Sequence, residues 1–316
     1  MSNSQGTPKI AFLFPGQGSQ AVGMGRDLAE RFTVARRTFD EADAALGYSL
    51  SRLCFEGPAE QLKQTEFTQP AIFAVSVAAC RVLAERGVAP QYAAGHSLGE
   101  YSACVAAGVM EFAGAIRALR SRGQFMQQAV AEGQGAMAAI LGLDAEAAGK
   151  VCAAAATETS EVVSPANLNS PEQVVISGTV RAVARASELA REAGAKKVVP
   201  LQVSAPFHCA LMQPAQDRLE PVLKAIEFHK PRFPIVSNVT ADVTKNGDDE
   251  RDALVRQVTA SVRWVESMRK LIDLGVTNFV EVGPGKVLSG LLRQIDRGQR
   301  CSNVEDAASL DKALAG

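Results

Sequence analysis

The segment Gly95-His96-Ser97-Leu98-Gly99-Glu100 constrains the fold of this 316-residue chain most strongly, because it places a serine between two glycines at a sharp turn. The short apolar run before it, residues 91–95, follows a proline and is typical of a buried strand. Residues 98–107 have a helical composition that ends at Gly108. A strand, a tight turn and a helix in this order predict a G-x-S-x-G nucleophile elbow rather than an ordinary glycine-rich turn. Ser97 is therefore a candidate nucleophile, and the backbone N–H of Leu98 is expected to face the reacting carbonyl.

The composition, 47% hydrophobic and 21% charged with a net charge of −1, is that of a globular protein. It gives no argument for a nucleic-acid or membrane partner. The polar N-terminus, residues 1–7, lacks the pattern of a signal peptide, and the longest apolar run is interrupted by Arg81. The six cysteines are scattered without metal-ligand spacing, so we expect no metal site and a cytoplasmic protein.

Apolar runs that end at breakers predict the fold class. Such runs at residues 10–14, 91–95, 233–237 and 278–282 alternate with helical stretches and predict an α/β fold with a parallel sheet. Between them lie strand patterns at 136–141, 161–166, 173–177 and 196–203, and helical patterns at 144–156 and 180–193. This β-α-β-β-α-β order predicts a small ferredoxin-like domain, residues 134–203. We expect it to be inserted into an α/β-hydrolase-like large domain, residues 1–133 and 204–316, with a cleft at the junction.

The turn after the first predicted strand, Gly16-Gln17-Gly18-Ser19-Gln20-Ala21, fits a dinucleotide fingerprint. That fingerprint requires an acidic residue at the end of a second strand, whereas Asp40 lies in a helical stretch, residues 32–46. The turn is better explained as one that brings a backbone N–H, such as that of Gln17, close to a substrate oxyanion.

A serine nucleophile needs a base, and His208 is the best placed of the three histidines. His96 is expected to point away from Ser97, and His229 lies in a surface loop. His208 lies in Ser204-Ala205-Pro206-Phe207-His208, where the chain re-enters the large domain at the cleft; a structural histidine remains the alternative. A histidine base predicts a rate that rises as its imidazole loses a proton.

No acidic residue stands out as the third member of a triad, and a backbone carbonyl could orient the imidazole instead. Ordinary positions on a helix surface or at a strand end account for the three acids that we considered, Asp217, Asp252 and Glu281.

Arg122 lies at the edge of an apolar stripe on a predicted helix, residues 113–130. A step of about 100° per residue places Arg117 nearly opposite that stripe. A guanidinium drawn toward the interior needs an anion. A substrate carboxylate and an internal Asp or Glu satisfy that need equally well.

Together, these segments closely resemble the malonyl-CoA:acyl carrier protein transacylases of fatty acid synthesis. The resemblance spans residues 10–292, and its five motifs occur in the order of that family. The motifs are Phe14-Pro15-Gly16-Gln17-Gly18-Ser19-Gln20, Gly95-His96-Ser97-Leu98-Gly99-Glu100, Arg122-Gly123, Ser204-Ala205-Pro206-Phe207-His208 and Glu281-Val282-Gly283-Pro284-Gly285.

The resemblance implies that Ser97 attacks a malonyl thioester and that His208 is its base. It also implies that Arg122 binds the malonyl carboxylate. The N–H groups of Gln17 and Leu98 would supply the oxyanion hole. Gln257 matches the position whose backbone carbonyl orients the histidine. The chain departs from many members at Cys209, where they carry serine, and we expect no effect on the mechanism.

The implied reaction is a ping-pong transfer from malonyl-CoA, the substrate, through a malonyl-serine to the phosphopantetheine thiol of an acyl carrier protein. It requires no metal or redox cofactor, and we expect a monomer. Three alternatives stay open: a discrete polyketide-pathway acyltransferase, a serine thioesterase or acyl hydrolase, and a non-catalytic carrier-protein binding module.

Overall fold

The computed structural model describes residues 9–203 and 205–315. The predictions for the polar segment 1–7 and for Ser204 lie outside the described residues. The strands are β1 Lys9–Phe14, β2 Tyr92–Gly95, β3 Gly135–Leu141, β4 Val163–Ser170, β5 Gln173–Thr179, β6 Lys197–Pro200, β7 Ile235–Val236, β8 Val276–Val282 and β9 Arg300–Val304. The α-helices are α1 Arg26–Arg31, α2 Thr33–Leu46, α3 Leu50–Glu56, α4 Ala59–Leu62, α5 Thr65–Glu85, α6 Gly99–Ala106, α7 Phe112–Gln128, α8 Ala145–Thr159, α9 Val180–Glu192, α10 Gln213–Lys224, α11 Gly247–Arg256, α12 Trp264–Asp273, α13 Val287–Ile295 and α14 Ala307–Ala315.

The first sheet is parallel, with the strand order β7-β2-β1-β8-β9. Its central strand β1 is fully buried from Ala11 onward, as its continuous apolar sequence predicts. Phe14 at the end of β1 pairs with Gly95 at the end of β2, so the loops that follow both strands meet at one edge. The α/β prediction with a parallel sheet is therefore confirmed. Strand β9 was not predicted, because its sequence Arg-Cys-Ser-Asn-Val is mostly polar.

The second sheet is antiparallel, with the strand order β4-β5-β3-β6. Along the chain its elements run β3, α8, β4, β5, α9, β6, which is the predicted order. These elements bury a separate hydrophobic cluster between Ala138 and Ala190, to which the first sheet contributes no strand.

Strand β4 contacts the segment between α11 and α12. The N–H of Val262 donates to the carbonyl of Ala166 at 2.8 Å, and the N–H of Leu168 donates back to the carbonyl of Val262 at 2.9 Å. Asn169, near the end of β4, reaches His96 in the turn after β2, with 2.8 Å between Oδ1 and Nε2. The second sheet therefore lies against the edge at which β1 and β2 end.

Helix α5 is long and apolar enough to cross a membrane by length and composition alone. The fold buries 78% of its most apolar window, as is usual for the core helix of a globular protein. This helix is therefore weak evidence for a membrane span.

Helices α5 and α7 approach closely at Gly123. A Cβ at this position would lie 2.7 Å from the backbone of Glu66 and Thr65. Gly149 in α8, by contrast, has open space around the same position. Both glycines are inside helices, so their comparison isolates the contact between helices.

We expect Gly123→Ala to lower the free energy of unfolding by about 1 to 3 kcal/mol, because the methyl group forces α5 and α7 apart. Gly149→Ala should raise it by about 0.5 to 1 kcal/mol through helix propensity. Urea unfolding monitored by circular dichroism measures both. A Gly123→Ala protein as stable as the Gly149→Ala control would contradict the close approach.

Candidate active site

Ser97 occupies a strained turn between β2 and α6. Its φ is 53°, in the left-handed region that most side chains avoid. A Cβ at Gly95 would lie 1.9 Å from the carbonyl carbon of Gly99, and one at Gly99 would lie 2.2 Å from the carbonyl oxygen of Phe14. Glycine is therefore required on both sides of the serine, and the turn exposes the hydroxyl at the edge of the sheet.

The side chain of Asn238, which follows β7, clamps this turn. Its Oδ1 accepts the Ser97 N–H at 2.7 Å, and its Nδ2 donates to the Gly95 carbonyl at 2.6 Å. Asn238 is fully buried. The strained backbone is thus held by hydrogen bonds on both sides of the nucleophile.

The Ser97 hydroxyl is hydrogen-bonded to His208, with 2.8 Å between Oγ and Nε2. The other ring nitrogen, Nδ1, lies 2.8 Å from the carbonyl oxygen of Gln257 and 3.2 Å from that of Ala260. Carbonyls only accept, so Nδ1 carries the proton and Nε2 can accept the proton of Ser97. The imidazole is therefore oriented by backbone carbonyls.

Burial, and then the positive charge of Arg122, lower the pKa of His208 to about 3. The backbone hydrogen bonds from Gln257 and Ala260 act in the opposite direction. In the free protein the imidazole is consequently neutral above about pH 3. The rise in rate that a histidine base predicts should therefore occur at pH values far below the ordinary pKa of histidine.

The other two histidines lie elsewhere. His96 makes its hydrogen bond to Asn169, and its ring packs 5.3 Å from that of Trp264, centroid to centroid. His229 is exposed beside Glu227. Within the described residues, His208 is thus the histidine that contacts Ser97.

Arg122 reaches the site from α7 and is 1% exposed. Its Nη2 donates to Ser97 Oγ and to Gln257 Oε1, each at 3.0 Å, and its Nη1 donates to Gln69 Oε1 at 2.8 Å. Its Nε has no hydrogen-bond partner in the described part of the chain. Burial lowers the pKa of the guanidinium.

No described Asp or Glu forms an ion pair with Arg122, so the internal pair that the sequence left open is not found. A buried cation whose acceptors are all uncharged can bind an anion.

Two backbone N–H groups at the sheet edge are free to bind an oxyanion. Gln17 follows β1, and Leu98 directly precedes α6. Neither amide donates a hydrogen bond to any described residue. The Gln17 side chain donates to Thr65 Oγ1 at 3.3 Å. Both residues line the same cavity as Ser97 and His208.

This cavity has a volume of about 110 Å³. Its wall combines the polar groups above with apolar side chains from α7, from β3 and from the segment after β6: Met126, Met137, Leu201, Val203 and Phe207. So small a space fits a short acyl group. The described residues contain no cluster of His, Cys, Asp or Glu that could hold a metal ion.

The sequence-predicted residues Ser97, His208, Arg122, Gln17 and Leu98 therefore line one cavity, with the Gln257 carbonyl behind the imidazole. The sequence analysis missed three polar residues that form hydrogen bonds to these site residues. Gln69 is a lone amide in an apolar helix, and Asn238 follows a predicted strand, so both carried a signal. Glu100 lies in the first turn of a helix, where acidic residues are usually exposed, but it is fully buried.

Comparison with known proteins gives one consistent family. The model of the acyl transferase domain matches residues 11–313. A malonyl CoA-acyl carrier protein transacylase of Bacillus subtilis is 50% identical over 306 residues, 97% of this chain and 96% of that protein.

Solved structures agree with this result. An acyl carrier protein S-malonyltransferase from Vibrio cholerae superposes with a TM-score of 0.94 at 51% identity, covering 96% of this chain and 99% of that one. A malonyl-transacylase in complex with its type II PKS acyl-carrier protein also gives 0.94, at 49% identity and with 97% and 99% covered.

We expect a fluorophosphonate to label Ser97 at a rate that is flat between about pH 5.5 and pH 7.5, because the His208 imidazole is already neutral there. With an ordinary histidine pKa, the rate would rise about tenfold over that range. Intact-protein mass spectrometry measures the labelling. His208→Ala should slow it by about 10² or more, whereas His229→Ala, an exposed control, should not.

Proposed function

The chain belongs to the acyl transferase domain family, and we propose that it transfers a malonyl group from malonyl-CoA to the phosphopantetheine thiol of an acyl carrier protein in fatty acid synthesis. The names of relatives about half identical over nearly the whole chain support this substrate pair. The similar malonyl-transacylase that was solved with its acyl-carrier protein supports a carrier protein as the acceptor.

In the first half-reaction, Ser97 Oγ attacks the thioester carbonyl of malonyl-CoA while its proton passes to His208 Nε2. The carbonyl oxygen becomes an oxyanion that the N–H groups of Gln17 and Leu98 stabilise. The tetrahedral intermediate then expels the sulfur of CoA, which takes the proton from His208. The products are a malonyl ester of Ser97 and free CoA.

The second half-reaction repeats these steps with another thiol. The phosphopantetheine S–H gives its proton to His208, and the sulfur attacks the ester carbonyl. Ser97 Oγ leaves and recovers the proton. One thioester has been broken and another formed, so the malonyl transfer balances without a redox or metal step.

The observation that carries the proposal is the contact between Arg122 and the nucleophile. Its guanidinium is buried, has only uncharged acceptors and lies 3.0 Å from Ser97 Oγ. A substrate carboxylate two bonds beyond the reacting carbonyl can reach such a cation. An unspecialised thioesterase or acyl hydrolase has no need of a cation at this position. The same geometry would serve a discrete polyketide-pathway acyltransferase, which differs in its carrier.

We also infer that residues 134–203 form a ferredoxin-like domain inserted into an α/β-hydrolase-like large domain, residues 1–133 and 204–316. The strand order of the antiparallel sheet and its separate hydrophobic cluster support this division. The protein is proposed to be a cytoplasmic monomer that needs no cofactor besides its substrate malonyl-CoA. Nothing in its composition favours nucleic-acid or membrane partners.

Arg122→Ala should lower the ratio of kcat/KM for malonyl-CoA over acetyl-CoA by about 30-fold to about 10³-fold, because only malonyl carries a carboxylate for the guanidinium. Acetyl transfer should be unchanged or faster. Arg117→Ala, which removes an exposed arginine from the same helix, should leave the ratio unchanged. An equal loss for both substrates would mean that Arg122 only supports the structure.

Ser97→Ala should abolish the malonyl adduct that intact-protein mass spectrometry detects after mixing with malonyl-CoA, because the ester oxygen is gone. The turn is set by Gly95 and Gly99, so the fold should be retained. An adduct that persists in the variant would overturn the assignment of the nucleophile.

A further inference from the structure

Two carboxyl groups are buried behind the nucleophile. Glu100, in the first turn of α6, and Glu250, in the first turn of α11, are both 0% exposed. Each carboxyl acts on the pKa of the other, which places the two side chains close together. Two carboxylates can only accept, so a hydrogen bond between them requires one proton. Glu250 Oε2 is buried and has no hydrogen-bond partner within the described residues. A proton shared with Glu100 would satisfy this oxygen.

The pair holds the amide of Gln257. Glu100 Oε2 accepts from Gln257 Nε2 at 2.5 Å, and Gln257 Oε1 accepts from Arg122 Nη2 at 3.0 Å. A guanidinium only donates, so the amide oxygen must face Arg122 and the amide nitrogen must face Glu100. Glu100 also accepts from the N–H of Asn238 at 3.2 Å. The carboxyl pair is thus connected to the cation through Gln257, and it contacts the clamp residue Asn238 directly.

We propose that Glu100 and Glu250 share one proton and act as positioning residues, fixing the Gln257 amide and thereby holding Arg122 where it meets the substrate carboxylate. The proposal rests on the function proposed above. It adds a second layer of residues that sets the preference for malonyl without touching substrate.

Loss of the shared proton would disturb this arrangement. Burial, and then the charge of Glu250, raise the pKa of Glu100 to about 8. Above that pH two adjacent carboxylates repel each other, and Glu100 can no longer keep its place beside Gln257. Arg122 then loses its orientation. The value of kcat/KM for malonyl-CoA then falls, whereas acetyl-CoA makes no use of the guanidinium.

The surrounding groups do not titrate in the same range. Cys104 and Tyr101, from the same helix, have pKa values raised by burial, and Arg122 from α7 stays a cation. The remaining described groups that act on the pair are uncharged: Ser237, Asn238, Thr244 and Gln257.

The test is the ratio of kcat/KM for malonyl-CoA over acetyl-CoA between about pH 6.5 and about pH 9.5, which cancels effects common to both substrates. In the wild type this ratio should fall above about pH 8. In Glu250→Gln it should stay level, because the amide donates permanently to Glu100 and cannot ionise. Glu281→Gln is the matched control: Glu281 is equally buried, with a raised pKa, but bonds to Ser289 and the start of α13, so the alkaline fall should persist.

Glu100→Ala tests the positioning role at about pH 7, where the ratio should fall about 10- to 100-fold. Equal loss for both substrates, a level wild-type ratio, or an alkaline fall that survives in Glu250→Gln would each overturn the proposal. If Glu100→Ala does not fold, the Glu250→Gln profile decides. A wild type that forms no malonyl-Ser97 would refute the proposed function; one that forms it but keeps a level ratio refutes only the role of the pair.

Discussion

Ser97 stands at the sheet edge because three stretches of backbone meet there without side chains between them. Gly95 and Gly99 pack against each other across the serine, and Gly16 in the loop after β1 would place a Cβ 2.6 Å from the carbonyl oxygen of His96. Any methyl group at these points separates the end of β1 from the turn after β2. The N–H of Gln17 and the hydroxyl of Ser97 then no longer face one cavity. The register that pairs Phe14 with Gly95 is therefore also what assembles the site.

Around this turn the protein buries polar groups that satisfy one another. Gln257 is the point at which they meet: its carbonyl holds His208, its amide oxygen holds Arg122, and its amide nitrogen donates to Glu100. Buried polar atoms are costly unless they are paired, so each of these groups restricts the orientation of the next. The end of α11 is consequently as important to the site as the serine turn, although it lies 160 residues further along the chain.

Local patterns predicted the elements well. Breakers bound the strands, and a helical period runs through α7. The parallel sheet, the β-α-β-β-α-β order along the chain and the exposure of Arg117 could therefore be predicted. The edge strand β9 was not predicted, because its sequence is mostly polar. The positions of Gln69 and Asn238 carried a signal, but the contacts of these two residues and of Glu100 could not be predicted. The burial of all three is created by segments distant in sequence. The same holds for the low pKa of His208, which burial and the neighbouring Arg122 produce together.

The charge of Arg122 acts on the pKa of His208, and in the proposed mechanism this coupling would favour a carboxylated substrate in two ways. In the free protein the guanidinium opposes protonation of the imidazole and donates to Ser97 Oγ, which reduces the nucleophilicity of the oxygen. A malonyl carboxylate bound to Arg122 would neutralise that charge and compete for its donors. The proposed acylation requires protonation of His208, and this protonation would become easier when a carboxylated acyl group is bound. Binding of the carboxylate and activation of the base would in this way be coupled.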